Sequence, residues 1–347
     1  MSVQAVLDEL VNARAAPGAS AAWGTAEEIR FAASGRFTYA QDSQAVDEDT
    51  VFDLASLTKP IAVASVCMVL DDRGEFSPGE SVDTGLPELA GKGVTYKNLL
   101  RHDSGAAAYC NLEGKGLEGE RARAAILELG DPNKLGGPPV YSCIGYIRLA
   151  EALHRTTKKP IDALFNELVN APLETGFRYN PGLEGVAPTV AWEPWRDRCL
   201  ARAGRRPPLP WVTGEVHDPL AWLQRGVSGN AGLFGSARDV ATYAKAILGG
   251  GAPFSKGVWK RYTDPAGANA DRVLGWHLKS TVGSSAGPSW GKRSVGHTGF
   301  TGTMLWIDPD QRFFAALLAS AVHPDGDPEP LKRFRVKFSE AATVDAR

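Results

Sequence analysis

Apolar residues recur at helical spacing along much of the chain and gather in shorter runs near its two ends. The helical spacing predicts helices at residues 3–15, 96–100, 119–129, 145–154, 236–248 and 330–342. The shorter runs predict strands at residues 19–23, 29–33, 272–278, 293–296, 303–307 and 313–319. Strands at both ends with helices between them predict an α+β fold, in which both ends of the chain build one antiparallel sheet.

This order of elements predicts two interleaved domains. Residues 1–60 and 230–347 are expected to form a sheet domain flanked by terminal helices, and residues 61–229 a mostly helical insertion. The active site is expected between the two. Residues 176–215 are rich in Pro, Gly, Trp and Arg, which predicts an irregular surface segment. The tryptophans in and just after this segment either pack in a core or form an apolar wall for an acyl group: Trp192, Trp195, Trp211 and Trp222.

Composition narrows the class of protein. The chain has 347 residues, 43% of them hydrophobic and 22% charged, which is typical of a soluble globular enzyme. A net charge of −2 gives no electrostatic argument for nucleic acid or an anionic membrane, and no apolar run is long enough to span a bilayer. We expect a small-molecule substrate, while the oligomeric state is left open.

The cysteines and the first residues bear on compartment and cofactor. Four cysteines show neither a Cys-x-x-Cys pair nor a zinc-site spacing, so free thiols without a metal or cofactor are expected. Residues 1–18 have helical periodicity and acidic residues. They lack the basic start, apolar block and cleavage site of an export signal. These features predict a cytoplasmic protein.

Candidate chemistry begins with Ser56 and Lys59. Ser56 stands before an apolar run, residues 61–70, that is typical of a buried helix. If it opens that helix, its hydroxyl lies where free N–H groups and the helix dipole favour negative charge. Lys59, three residues on, shares its helical face, so its amine can reach the hydroxyl. The pair can therefore activate an alcohol nucleophile without a histidine.

The tetrapeptide alone is weak support, because Ser56 could simply cap a helix. A second copy, Ser289 to Lys292, lies in a Gly/Pro/Ser-rich stretch and is predicted to form a turn. No Gly-x-Ser-x-Gly elbow marks a Ser/His/Asp hydrolase. His102-Asp103 and His217-Asp218 lack metal-site spacing and are interpreted as turns or caps.

Further motifs follow in order: Tyr141 before a predicted helix, and His297-Thr298-Gly299 on a predicted strand. With Ser56 and Lys59, this order resembles the serine hydrolases that share the fold of class C β-lactamases and penicillin-binding proteins. That family carries Ser-x-x-Lys, Tyr-x-Asn and then Lys-Thr-Gly or His-Thr-Gly. Weaker similarities fill the gaps, at Pro17-Gly18-Ala19, residues 98–105 and residues 229–236. The resemblance covers nearly the whole chain.

The resemblance implies roles for these residues. Ser56 attacks a carbonyl carbon, Lys59 and Tyr141 share its proton, and Tyr141 protonates the leaving group. The backbone N–H groups of Ser56 and Phe300 form an oxyanion hole. The substrate is held along the strand by His297 and Thr298, and Gly299 lets its backbone pass closely. Cys143 lines the pocket as well.

Two residues depart from the family pattern. Cys143 stands where the family often has Asn, and a thiol donates poorly to an amide carbonyl, which favours esters over peptides and β-lactams. His297 replaces the lysine of most β-lactamases. Blander interpretations stay open: Tyr141 as a structural aromatic, His297 as a solvated strand histidine, and Cys143 as a filler residue. A literal Tyr-x-Asn at Tyr109 ranks second, because a Gly-rich loop follows it.

The sequence thus predicts a serine hydrolase that forms an acyl-enzyme on Ser56 and cleaves a small ester or transfers its acyl group. Alternatives are a D-amino-acid peptidase or DD-carboxypeptidase, a weak β-lactamase, and a non-catalytic binding protein that keeps the pocket.

Overall fold

A computed structural model describes residues 1–207, 209–280 and 283–345. The strands are β1 (Gly18–Gly24), β2 (Ile29–Gly35), β3 (Phe52–Asp53), β4 (Arg178–Tyr179), β5 (Leu233–Gly235), β6 (His277–Leu278), β7 (Val295–Thr298), β8 (Met304–Asp308) and β9 (Phe313–Ala319). The first eight α-helices are α1 (Val3–Asn12), α2 (Ser65–Asp72), α3 (Tyr96–Leu100), α4 (Glu120–Leu127), α5 (Cys143–Thr157), α6 (Ile161–Phe165), α7 (Ala171–Leu173) and α8 (Pro194–Arg202). They continue with α9 (Pro219–Leu223), α10 (Ala237–Gly249), α11 (Lys256–Thr263) and α12 (Lys332–Asp345). None of these described helices is long and apolar enough to cross a membrane.

Both ends of the chain build one antiparallel sheet, which confirms the predicted α+β fold. The strand order is β2-β1-β9-β8-β7-β6, so β9 from the end of the chain lies between β1 and β8. Alternate residues of β9 point to opposite faces, as the pleat requires. Ala315 and Leu317 pack with α1 and α12, whereas Phe314, Ala316 and Leu318 pack with α2 and α10. Burial on both faces explains why this strand is a continuous apolar run.

A second, smaller sheet positions the nucleophile segment. Its order is β3-β5-β4, and β3 ends at Asp53, three residues before Ser56. Leu54 then donates its N–H to Leu233 O at 3.0 Å, which extends the pairing toward Ser56. The proposed division at residues 60 and 230 stays a prediction.

Some predicted elements differ in extent. The strand predicted at 272–278 is confined to His277–Leu278, because Arg272 and Asn269 instead exchange backbone hydrogen bonds in a tight turn. The helix predicted at 145–154 is longer, Cys143–Thr157, because the Ser142 hydroxyl caps it by accepting from Gly145 N. The irregular segment 176–215 contains α8, in which Trp195 is buried edge-on against Trp222. That contact favours the packing interpretation of these tryptophans.

Gly296 provides a test of how tightly the sheet is packed beside the site. It pairs with Trp306, and a Cβ at position 296 would lie 2.2 Å from Trp306 Cδ2 and 2.6 Å from Leu305 O. We therefore expect Gly296→Ala to lower the free energy of unfolding by about 1–3 kcal/mol. Urea denaturation measures this change.

The matched control is Gly249→Ala at the end of α10, where an added Cβ has no described atom within 4 Å. That variant should keep or slightly raise stability, because alanine restricts the unfolded chain more than glycine does. Equal effects of the two substitutions would contradict the packing described for the sheet.

Candidate active site

Ser56 lies in a short turn that joins β3 to the first buried helix. The turn is a 3-10 helix, Ala55–Leu57, and a π-helical stretch, Lys59–Ala64, leads from it into α2. The sequence predicted that Ser56 opens the helix itself, but the structure places it one turn earlier. Ser56 is partly exposed, whereas the whole side chain of Lys59 is buried. The turn thus presents a hydroxyl to solvent above a buried amine.

Lys59 connects three separate parts of the chain. Its Nζ donates to Ser56 Oγ at 2.9 Å and to Asn230 O at 2.8 Å, and it lies 3.7 Å from Cys143 Sγ. Burial disfavours the ammonium, but interactions with Cys143 and Tyr141 and the carboxylate of Asp218 outweigh burial, so the pKa of Lys59 is raised. Lys59 is therefore a cation at neutral pH, and its hydrogen bonds reach Ser56 Oγ and Asn230 O.

Tyr141 lies beside the same amine. The centroid of its ring is 4.9 Å from Lys59 Nζ. Burial raises the pKa of Tyr141, although the charge of Lys59 and hydrogen bonding with Lys59 and Ser56 act in the opposite direction. The phenol is therefore protonated at neutral pH and adjoins both the alcohol and the amine. Its position follows from α5, which begins two residues later.

Three histidines surround the Tyr141 ring. Ring centroids of His102, His297 and His277 lie 4.7, 5.7 and 6.1 Å from that of Tyr141. Burial, with the charge of Lys59, lowers the pKa of His297 to about 3, and burial also lowers the pKa of His102 and His277 well below the usual value. These rings are neutral at physiological pH. Lys59 is then the cation that Ser56 contacts directly.

His102 was missed as a site residue by the sequence reasoning. It was interpreted as part of a turn or cap pair, and it does have a positive φ of 62°. Its Nδ1, however, accepts the N–H of Ser142 at 3.0 Å, which fixes the residue after Tyr141. His277 was missed because it lay in a predicted strand without any motif. Nothing in the spacing of the six histidines pointed to this cluster.

The end of β7 and the turn that follows it lie beside Ser56 and Tyr141. His297 Nδ1 bonds to Thr298 O at 2.8 Å, which assigns the proton to Nδ1 and makes Nε2 the acceptor. Thr298 is partly exposed at the strand end, and the Phe300 side chain is 55% exposed. Gly299 also has a packing role: a Cβ there would lie 2.0 Å from Thr303 Oγ1 and 2.6 Å from Leu54 O. The glycine therefore allows the turn after β7 to pack against the segment before Ser56.

A polar network supports the carbonyl that Lys59 uses. Asn230 Nδ2 donates to Asp218 Oδ1 at 2.9 Å, and Asn230 Oδ1 accepts from Ser228 Oγ at 2.8 Å. Asp218 also caps α9 by accepting from Ala221 N, which agrees with its interpretation as a cap. Residues 229–236 were noted only for a weak similarity, so Asn230 was missed. Its backbone oxygen, which any residue carries, makes the contact.

The competing candidates lie elsewhere or do other work. Ser289 lies in a turn and bonds to Glu340 Oε2 at 2.6 Å, as expected for a surface residue. Tyr109 is 42% exposed, and Asn111, two residues further on, accepts from Glu113 N. Among the described residues no cluster of His, Cys, Asp or Glu is arranged to hold a metal ion. The structure thus brings Ser56, Lys59, Tyr141 and Cys143 together, with β7 beside them.

Comparison with known proteins identifies the family. The sequence model described as Beta-lactamase matches residues 3–339. The chain belongs to the beta-lactamase family. This membership, together with the antiparallel sheet and its helices, makes it a hydrolase of the β-lactamase and transpeptidase fold.

Curated relatives of this β-lactamase-family protein have different names. A protein of Escherichia coli O157:H7, "Putative D-alanyl-D-alanine carboxypeptidase", is 29% identical over 343 residues, covering 89% of this chain and 76% of the relative. The N-acetylmuramyl-L-alanine amidase of Bacillus subtilis (strain 168) is 30% identical over 311 residues, covering 81% and 70%. Among solved structures, EstCE1, "a hydrolase with promiscuous acyltransferase activity", has a TM-score of 0.77 at 16% identity, covering 98% of this chain and 97% of that one. At that identity EstCE1 shows the fold alone.

The electrostatics of His297 can be tested directly. Because burial and the nearby ammonium of Lys59 hold its pKa near 3, its ring signals should not titrate between pH 5 and 8 in an NMR experiment. Lys59→Met removes the positive charge that disfavours protonation of His297, so the pKa of His297 should rise in that variant. A wild-type His297 ring that protonates between pH 5 and 8 would show that the site is wetter than described.

Proposed function

We propose that this protein is a serine hydrolase that forms an acyl-enzyme on Ser56 and acts on a small ester. The observation that carries the proposal is the 2.9 Å contact between the buried Lys59 Nζ and the partly exposed Ser56 Oγ. A cationic amine held against an alcohol, with a phenol beside both, is an arrangement for moving the proton of a nucleophile. Structural capping of a helix needs neither the amine nor the phenol.

The first step needs a base, and the resting site has none until it loses one proton. With the pKa of both Lys59 and Tyr141 raised, the pair begins as ammonium and phenol. Loss of one proton from the pair leaves a form that can accept the Ser56 proton while Oγ attacks the carbonyl carbon. The charge that develops on the carbonyl oxygen is stabilised by the N–H groups of Ser56 and Phe300.

The second half of the reaction returns the proton. Tyr141 protonates the leaving alcohol, and the acyl group stays on Ser56 as an ester. Water, activated by the same pair, then attacks the acyl carbon and restores the free hydroxyl. An alcohol that enters in place of water gives acyl transfer by the same steps.

Two features favour an ester over an amide or a lactam. Cys143 Sγ lies by Lys59, where a side-chain amide could otherwise donate to a substrate amide carbonyl, and a thiol is a poor donor. Two exposed aromatic residues, Tyr109 and Phe300, are close in sequence to segments that form the site. Phe300 follows β7, and Tyr109 follows Ala108, whose carbonyl accepts the N–H of Cys143. These rings suit an apolar acyl or alcohol group.

A peptidase acting on D-alanyl peptides, or an amidase, is the second candidate. It is favoured by the names of the two curated relatives at 29% and 30% identity. Both names denote cleavage of an amide bond. We therefore include a D-alanyl-D-alanine peptide and a muramyl peptide among the substrates to be tested.

The nucleophile is tested by Ser56→Ala. With p-nitrophenyl butyrate as substrate, kcat should fall by a factor of about 10⁴ or more, because the acyl-enzyme can no longer form. The matched control is Ser289→Ala, in the second Ser-x-x-Lys sequence, which should keep wild-type activity. Labelling with a fluorophosphonate, read by intact mass, should follow the same pattern.

The other outcomes separate the alternatives. Ser56-dependent cleavage of nitrocefin or of a D-alanyl peptide, faster than that of the ester, would favour the β-lactamase or peptidase. A wild-type protein that turns over none of these, but whose melting temperature rises with ligand, would favour a binding protein. Activity that survives Ser56→Ala would overturn the proposal.

The pH dependence follows from the direction of the pKa shifts. Since the pKa of Lys59 and that of Tyr141 are both raised, the pair loses its first proton only above neutral pH. We expect kcat/KM for the ester to rise from pH 6 to pH 9. An activity that is flat from pH 6 to 9, or that falls, would contradict a base formed by this pair.

The role of the phenol is tested by Tyr141→Phe, which removes the hydroxyl and keeps the ring. This variant should lower kcat for the ester about 10²- to 10⁴-fold.

A further inference from the structure

The two backbone donors assigned to the oxyanion hole lie on separate segments, and both segments meet at residues 53–54. Thr301 Oγ1 donates to Asp53 O at 2.7 Å, and Thr303 Oγ1 donates to Leu54 O at 3.0 Å. Both threonines belong to the turn after β7 that carries Phe300. The turn is thus fastened to the segment that leads into Ser56.

The Asp53 side chain organises the Ser56 side of this junction. It is 2% exposed, and its Oδ1 accepts the N–H of Ala55 at 2.8 Å. Ala55 has a φ of 48°, in the left-handed region that is unfavourable for alanine. The hydrogen bond holds Ala55 in this conformation, which sets the direction of the following peptide N–H, that of Ser56.

The same carboxylate also reaches the Phe300 side. Asp53 Oδ2 accepts the N–H of His217 at 2.7 Å. The His217 ring stacks on the Phe300 ring, with centroids 5.5 Å apart and planes at 22°. One carboxylate therefore fixes Ala55 next to Ser56 and the residue whose ring supports Phe300.

Burying the Asp53 carboxylate is energetically unfavourable, which argues that it has a function beyond capping a turn. Burial raises the pKa of Asp53 to about 6, with the N–H groups of His217 and Ala55 and the cation of Arg196 acting against the shift and Asp218 adding to it. Asp47, in contrast, is an exposed aspartate that caps a turn by accepting the N–H of Asp49 at 3.1 Å. A lone cap would not require a buried carboxylate that accepts from two separate segments.

We propose that Asp53 is a positioning residue for the oxyanion hole, holding the N–H groups of Ser56 and Phe300 at the separation that the tetrahedral intermediate requires. This inference rests on the function proposed for Ser56. Asp53 touches neither the substrate nor the reacting atoms in this account. Its effect is exerted through Ala55, His217 and the threonines after β7.

The test is Asp53→Asn, which keeps the size but presents one acceptor and one donor to two backbone N–H groups. We expect kcat for p-nitrophenyl butyrate to fall about 10²- to 10³-fold, as when an oxyanion donor is lost, with KM within about threefold. Inhibition by a boronic acid, which forms a tetrahedral anion on the serine, should weaken by a similar factor. Asp47→Asn is the control and should change neither quantity.

A merely structural role predicts a different pattern. Loss of folded protein would lower the active fraction without changing the boronic acid Ki of the molecules that remain folded. A kcat within threefold of wild type in Asp53→Asn, or a reduced kcat with an unchanged Ki, would overturn the inference. Failure of the underlying function looks different again, because the wild-type protein would then show no Ser56-dependent turnover at all.

A second variant with its own control tests the inference if Asp53→Asn does not fold. Thr301→Val removes the hydroxyl that donates to Asp53 O while keeping the shape of the side chain. It should lower kcat and weaken the boronic acid about tenfold, in line with the loss of one buried hydrogen bond. Thr343→Val, which loses a bond to Glu340 O on α12, is the control and should have no effect. Equal behaviour of the two threonine variants would refute the proposal.

Discussion

The buried ammonium of Lys59 is the constraint on which the rest of the site depends. A fully buried cation is tolerated only if its hydrogen bonds are satisfied. Here they reach Ser56 Oγ and Asn230 O, with Cys143 Sγ nearby. These partners come from a turn before α2, the segment before β5 and the first residue of α5. Packing the amine correctly therefore assembles three distant parts of the chain around the alcohol.

The same charge explains the character of the surrounding residues. Burial lowers the pKa of His297 and of His102, and the charge of Lys59 adds to the effect because a cation disfavours a second one nearby. His297 therefore contributes a neutral ring to the site. Lys59 is the cation that contacts Ser56 Oγ directly, and the guanidinium carbon of Arg272 lies 6.0 Å from the centroid of the Tyr141 ring.

Local pattern predicted part of this arrangement, and tertiary contacts supplied the rest. The spacing of Ser56 and Lys59 predicted their contact, because three residues make nearly one helical turn even though the first of them lies in a 3-10 helix. The strand Phe313–Ala319 was predicted to the residue, because its apolar run is uninterrupted. His102 and His277 could not be predicted, since their meeting with Tyr141 depends on chain packing. The packing role of Gly299 was missed for the same reason.

A crystal structure of the protein after reaction with a p-nitrophenyl phosphonate tests the central claim most directly. The account predicts phosphorus bonded to Ser56 Oγ, with Lys59 Nζ still within hydrogen-bonding distance of that oxygen. A phosphonyl oxygen should lie about 2.7–3.1 Å from the N–H nitrogens of Ser56 and Phe300. Phosphorus on Cys143 or on another hydroxyl, or a phosphonyl oxygen turned away from both N–H groups, would contradict it.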